Sequence, residues 1–305
     1  MSEVVFGMKY DALRREKFRY VMKCIEESNV RSRNKFLGFL TSLLKERVRL
    51  NSEKLENVFN FLSTAEDPDT GAKLTNSEIR AEAATLVVAG SDTSSTGLAG
   101  TMFYLSRNQH AYQKATREIR TTFPTSSEIR MGSKLNACSY LRACIDEAMR
   151  MSPPVGSALW REVCDGGQII DSQYFPSGVD IGVGIYSIHH DARYFQEPFK
   201  YQPERWLVGQ VGSTKESVGR ARGAFYPFSL GPRSCVGKGL ANHELMLTLA
   251  RILRDFEFST ADSKSFGVEK EGEGSEEFRL WDHVTSAKKG PLLQFRAAER
   301  TLNSL

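Results

Sequence analysis

Apolar positions recur at helical spacing through most of the first half of the chain. Leu13, Phe18, Val21, Met22 and Ile25 stand among Arg, Lys and Glu between about residues 11 and 28. The same texture returns over 33–48 and, more briefly, over 55–62. The turn Glu66-Asp-Pro-Asp-Thr-Gly71 interrupts it. Thr75 and Glu78 then have the spacing of a capping box, in which the threonine accepts the backbone N–H of the glutamate. Nothing forces a stop before about Ser106, although Gly90, Gly97 and Gly100 each weaken a helix locally. One long helix over about 76–106 is therefore predicted, enough to cross a whole domain. Its centre, Leu86-Val-Val-Ala-Gly90, is apolar on every side and is expected to be buried.

Helices are predicted again over 111–122 and 140–151, the second ended by Pro153-Pro154. Short strand-like pieces follow at 157–163, 168–170 and 179–183, separated by Gly, Pro and Asp. A loop-rich stretch from 198 to 227 leads to a further helix over about 238–253. An acidic, glycine-containing loop (269–277) and a final hairpin ending near 292–295 complete the pattern. No internal repeat and no linker divides the chain, so residues 1–305 read as one mainly α unit with small β-sheets.

Composition narrows the class. Of 305 residues, 40% are hydrophobic and 26% charged, which suits a globular protein with a sizeable core. A net charge of +4, with no basic run interleaved with aromatics, gives no reason to expect a nucleic-acid partner. No stretch reaches the roughly 18 apolar residues of a membrane span, and residues 1–7 have no signal-peptide texture, so the chain as written carries no anchor and reads as soluble. The cysteines, Cys24, Cys138, Cys144, Cys164 and Cys235, show no C-x-x-C pair and no zinc spacing. A reducing compartment is expected, with the first four as small buried hydrophobes.

The most specific segment is Phe228-Ser-Leu-Gly231-Pro-Arg233-Ser-Cys235-Val-Gly237, the pattern F-x-x-G-x-R-x-C-x-G leading into an apolar helix. Five fixed positions, one of them a scarce cysteine, arise by chance with odds on the order of 10⁻⁴. The segment resembles the haem-ligand loop of the cytochrome P-450 family, the haem-thiolate monooxygenases. The resemblance implies that Cys235 is the axial thiolate ligand of haem b. Gly231 and Gly237 would let the backbone pass close to the flat macrocycle. The helix after Cys235 would direct free N–H groups and its positive end at the sulfur. Phe228 would cover the ligand side of the ring, and Arg233 would pair with a haem propionate.

Other segments match the family in order and wording. Glu147 and Arg150, with Arg205 of Pro203-Glu-Arg-Trp206, correspond to its buried E-x-x-R and arginine network, a structural support for the haem face. The E-x-x-R pattern alone is uninformative, since it recurs at Glu16/Arg19, Glu46/Arg49 and Glu276/Arg279. Ala89-Gly90-Ser-Asp92-Thr93 resembles the segment in which a glycine makes room for dioxygen and an acid–alcohol pair, here Asp92 and Thr93, delivers protons. Arg161 stands where the family commonly places a second propionate-binding arginine. His189-His190 matches a segment of structural role; adjacent histidines in a strand or loop point apart and do not suggest a metal pair. Leu86, Val87, Val155, Leu159 and the turn 285–287 would face a substrate.

The implied fold is that of a cytochrome P-450 lacking its N-terminal third, with no counterpart here for the anchor, part of the first sheet, the loop roofing the pocket or a W-x-x-x-R helix. The implied activity is insertion of one oxygen atom from dioxygen into a small apolar substrate, with electrons from NADPH reaching the haem indirectly through NADPH-cytochrome P-450 reductase. The wording most resembles filamentous-fungal members of secondary-metabolite pathways, whose full-length forms sit at the cytoplasmic face of the endoplasmic reticulum. The alternative is a non-catalytic fragment that keeps the motifs without a complete pocket, and such a chain would bind haem poorly alone.

Overall fold

The computed structural model describes residues 30–49, 58–261 and 277–298. The helix expected over 11–28 and most of the acidic loop 269–277 lie outside them. The chain divides into two compact units, residues 1–92 and 93–305.

In the first unit, α1 (Val30–Arg49) buries Phe36, Phe39 and Leu43, one stripe of its surface. α2 (Val58–Thr64) is a short helix ahead of the turn, with no fully buried residue. There the Asp67 carboxylate accepts the backbone N–H groups of Asp69 and Thr70, and the Asp67 N–H donates to Ala72. The long helix α3 (Asn76–Arg107) begins as its sequence predicts. The Thr75 N–H donates to Glu78 Oε2 at 2.7 Å and the Glu78 N–H to Thr75 Oγ1 at 3.3 Å. Ile79, Ala83 and Val87 form its buried stripe. The centre is not buried all round: Ala89 is exposed and Leu86, Val88 and Gly90 are half-buried. An apolar side chain sinks only where a neighbouring element covers it, and much of any folded surface is apolar.

The second unit contains the rest of α3 and the main core. α4 (Gln109–Thr122) buries Ala111, Tyr112, Ala115, Thr116 and Ile119 along one face. After the short α5 (Ser133–Asn136), α6 (Ser139–Met151) is buried at almost every position, including Asp146, Glu147 and Arg150. α6 has no cap of its own. Glu118 of α4 supplies one, accepting the N–H groups of Tyr140 at 2.9 Å and Leu141 at 2.8 Å. Leu105, Ile119, Leu135, Leu141, Ile145 and Met149 meet across these helices, each burial contributing about 1.5–3 kcal/mol.

Two small antiparallel sheets follow. β1 (Arg161–Glu162) and β4 (Asp180–Ile181) flank the hairpin of β2 (Gln168–Ile170) and β3 (Gln173–Phe175). The hairpin turns through Asp171 and Ser172, both at positive φ. Two helices interrupt segments expected to be strand or loop: α7 (Ile185–His189), and α8 (Lys215–Gly223) with a reciprocal Thr214/Ser217 cap. α9 (Lys238–Asp255) buries Leu245, Met246, Leu249, Ala250 and Leu253 against the same core.

The last strand does not close a local hairpin. β8 (Leu293–Ala297) pairs with β5 (Phe256–Thr260), Phe256 opposite Ala297 and Thr260 opposite Leu293. The hairpin lies between them, as β6 (Leu280–His283) and β7 (Thr285–Lys288). The apolar alternation of a strand says that it pairs, not with which partner. No described helix is long and apolar enough to cross a membrane.

Candidate functional site

The segment 225–237 is held by short backbone bonds between the core and α9. The Ser229 N–H donates to Tyr226 O at 2.9 Å, the Cys235 N–H to Phe228 O at 2.9 Å, and the Ser234 N–H to Gly231 O at 3.0 Å. Gly231 has φ +69°, a conformation that strains any residue with a Cβ. Among the described residues no other group lies near a Cβ built there, and the backbone conformation by itself favours glycine. Gly237 takes the N-cap position of α9 without a side-chain cap, and a Cβ there would lie 3.7 Å from Cys235 Sγ. The thiol of Cys235 is free and exposed, two residues before Gly237. Leu230 and Val236 of the same loop expose 65% and 91% of their surface, an apolar rim to the loop. Phe228 is half-buried and packs on the core, while Arg233, in the turn Gly231–Arg233, is exposed.

The same unit holds a buried ion network. Glu147 and Arg150 are both 0% exposed. Arg150 donates from Nε to Glu147 Oε2 and from Nη2 to Oε1, each at 3.0 Å. Arg205 donates from Nε to Glu147 Oε1 at 2.8 Å. Trp206 Nε1 and the Gln202 N–H complete the carboxylate's shell at 3.0 Å each. The remaining Arg205 nitrogens donate to Gln196 O and Lys200 O, and Arg150 Nη1 to His189 O at 2.8 Å. Burial by itself would raise the Glu147 pKa, but the Arg150 and Arg205 charges outweigh it and hold the carboxyl below its ordinary range. Neighbouring Glu204 faces the other way, accepting from Tyr140 Oη at 2.7 Å and Lys114 Nζ at 2.9 Å. The structure thus brings Glu147, Arg150 and Arg205 into one cluster.

Gly90, Asp92 and Thr93 follow one another along the middle of α3, all half-buried. One residue beyond Thr93, Ser94 Oγ donates to Glu244 Oε2 of α9 at 3.2 Å, and a Cβ at Gly97 would meet Leu245 at 3.2 Å. The part of α3 that begins at Thr93 therefore packs directly on the helix that follows Cys235. Arg161 is exposed on β1, and its Nη1 donates to Trp160 O at 2.8 Å. Of the segments expected to face a substrate, the Val155 and 285–287 regions are tied together, since Ser286 donates from its N–H to Pro154 O and from Oγ to Pro153 O.

Among the cysteines, Cys138 and Cys144 are buried as expected, and burial pushes the Cys138 thiol up to about 11. Cys164 departs from expectation: it is exposed, because its segment is a turn before β2. Cys24 lies outside the described residues. His189 and His190 close a helix instead of a strand or loop. His189 is buried with its Nε2 accepting the Tyr226 N–H at 3.2 Å, and His190 Nε2 lies 2.9 Å from Glu277 Oε1. The described residues hold no cluster of three or more His, Cys, Asp or Glu suited to a metal ion.

A family profile described as Cytochrome P450 matches residues 1–275. The chain belongs to the cytochrome P450 family. Among curated relatives, cytochrome P450 monooxygenase apf8 of Gibberella fujikuroi is 53% identical over 323 residues, covering 97% of this chain and 87% of that protein. Cytochrome P450 monooxygenase poxM of Penicillium oxalicum is 43% identical, covering 98% of this chain and 61% of that protein. A crystal structure titled cytochrome P450DA heme domain shares the fold, with a TM-score of 0.77 at 18% identity, over 98% of this chain and 64% of that one. The P450 cofactor is haem with a cysteine thiolate ligand, and the Cys235 loop fits it: one exposed thiol, a soft donor for iron, with an apolar rim and a helix N-terminus behind it.

Beyond the expected residues, the P450 core recruits Trp206, Gln202 and His189 to the ion network and Glu118 to the start of α6. Trp206 and Gln202 stand beside Arg205 in sequence and were accessible from that motif. Glu118 had no local signal, since the N–H groups it caps are 22 and 23 residues away.

Proposed function

We propose that this chain is a cytochrome P450 monooxygenase that inserts one oxygen atom of dioxygen into a small apolar molecule, with Cys235 as the haem's thiolate ligand. The observation that carries this reading is the exposed thiol of Cys235 in a loop pinned on both sides and set at the N-terminus of α9. Bound haem b supplies the redox chemistry that activates dioxygen.

The chain's own residues have complementary tasks. The free N–H groups at the start of α9 stabilise the thiolate form of Cys235. Phe228 covers the ligand side of the haem ring, while Gly231 and Gly237 give the loop its shape. Arg233 and Arg161 pair with the two propionates of the haem. Gly90 leaves the α3 backbone open to dioxygen. Asp92 and Thr93 act as an acid–alcohol pair, the hydroxyl holding a proton that the carboxyl replaces. The Glu147–Arg150–Arg205 cluster keeps the segment under the haem rigid. Val155, Leu159 and the turn 285–287 offer a surface to the substrate.

Electrons come from NADPH through NADPH-cytochrome P-450 reductase at the endoplasmic reticulum. The filamentous-fungal relatives and the wording of Gly184-Ile-Tyr-Ser-Ile-His-His-Asp support a role in secondary metabolism. Titrating the purified full chain with haem tests the reading. Stoichiometric uptake that is lost in Cys235→Ala supports it, and absence of uptake favours a non-catalytic fragment.

A further inference from the structure

His189 takes no part in the chemistry assigned above, yet it is 0% exposed and lies between the ion network and the cysteine loop. Its carbonyl accepts Arg150 Nη1 at 2.8 Å, and its Nε2 accepts the backbone N–H of Tyr226 at 3.2 Å, 37 residues further along. The ring sits among Phe225, Tyr226 and Phe195, with centroids 5.3, 5.9 and 6.4 Å away. Phe225 in turn packs on Trp206 at 4.7 Å, and Trp206 donates to Glu147. From Tyr226 the loop continues without slack: Tyr226 O accepts Ser229, and Phe228 O accepts the N–H of Cys235.

We infer that His189 is a positioning residue for the thiolate loop, its Nε2 fastening the Tyr226 N–H so that the Glu147–Arg150–Arg205 cluster sets the placement of Cys235. The inference rests on the reading of Cys235 as the haem ligand. An imidazole suits the task because a neutral ring offers one acceptor at fixed reach from the backbone. Accepting at Nε2 assigns the ring proton to Nδ1, which has no hydrogen-bond partner among the described residues. The desolvation of that N–H is a cost an aromatic ring of the same size would avoid, so packing alone does not favour histidine here.

Amide hydrogen exchange of the full chain tests this without haem. In the parent, the Tyr226 amide is protected. In His189→Phe, which keeps the ring and removes the acceptor, its exchange rises roughly tenfold, as for one hydrogen bond lost. The Gln202 amide, held by Glu147, stays protected in that variant. His189→Gln, whose Oε1 reaches where Nε2 lies, restores protection of Tyr226. With haem supplied and carbon monoxide bound to the reduced protein, His189→Phe lowers the share of red-shifted, thiolate-ligated Soret absorption and His189→Gln recovers it. Equal Tyr226 exchange in parent and His189→Phe overturns the inference, as does a failure of His189→Gln to protect Tyr226 if the Phe variant does not fold. A red-shifted Soret band surviving in Cys235→Ala would instead overturn the ligand reading and leave the Tyr226 result standing by itself.

Discussion

Arg150 donates from Nη1 to the carbonyl of His189 at 2.8 Å while its other nitrogens grip Glu147, so one guanidinium serves both the buried ion pair and the segment that leads to the cysteine loop. All five partners of the Glu147 carboxylate oxygens are N–H donors from Arg150, Arg205, Trp206 and Gln202. Such a cluster fixes geometry more than it adds net stability, because the cost of desolvating its three charges roughly offsets their attraction.

Breaking the cluster from one side is expected to be severe. Glu147→Ala leaves two guanidinium groups buried without their anion and destabilises the protein by roughly 3–5 kcal/mol in denaturant unfolding. Lys73→Ala, which removes the exposed pair with Glu66, changes stability by less than about 1 kcal/mol. Comparable losses for the two variants would contradict the network's role.

Acid is expected to loosen the same region. Burial, then the Arg150 charge, hold the His189 pKa down to about 3 from an ordinary 6.5. Between those values the unfolded chain binds a proton that the folded ring refuses, so stability is complete above about pH 6.5 and falls as the pH drops toward 3. The slope from this group is at most about 1.4 kcal/mol per pH unit. Glu147, also held low, adds loss of the same sign only as the pH passes below its ordinary range. Unfolding free energies measured across that window decline in the parent and decline less in His189→Gln; identical slopes would contradict the assignment.

The turn before the thiol depends on one backbone conformation. Gly231→Ala, forced to φ +69°, costs roughly 1–2 kcal/mol and lowers haem retention in proportion. Thermal unfolding of the variant beside the parent reads the cost directly, and an unchanged midpoint would show that the loop tolerates a Cβ there.

Glu118 is expected to matter for stability, although no pattern in the sequence marks it. Glu118→Ala uncaps α6 and costs about 1–2 kcal/mol, while Glu118→Gln, which keeps an acceptor, loses less. Equal losses would mean that the charge and not the acceptor count dominates.

The elements with local signals were legible and those defined by tertiary partners were not. Thr75 and Glu78 announce α3 because a capping box is written within four residues, and Pro153-Pro154 ends α6 for reasons internal to the chain. The thiol loop was legible because glycines and a cysteine at fixed spacing encode a backbone shape. β8 is different: its partner β5 lies more than 30 residues away, so a local hairpin was the wrong expectation. α7 was hidden because five residues give no measurable period, and α8 because its polar face resembles a loop. His189 shows the limit most clearly, since its task exists only once Tyr226 is brought beside it.

The central claim is that Cys235 is the haem ligand, and the carbon monoxide difference spectrum of the reduced, haem-supplied chain tests it most directly. A red-shifted Soret band in the parent that disappears in Cys235→Ala, with the fold retained by far-ultraviolet dichroism, is the predicted result. The same red-shifted band in Cys235→Ala would contradict the account.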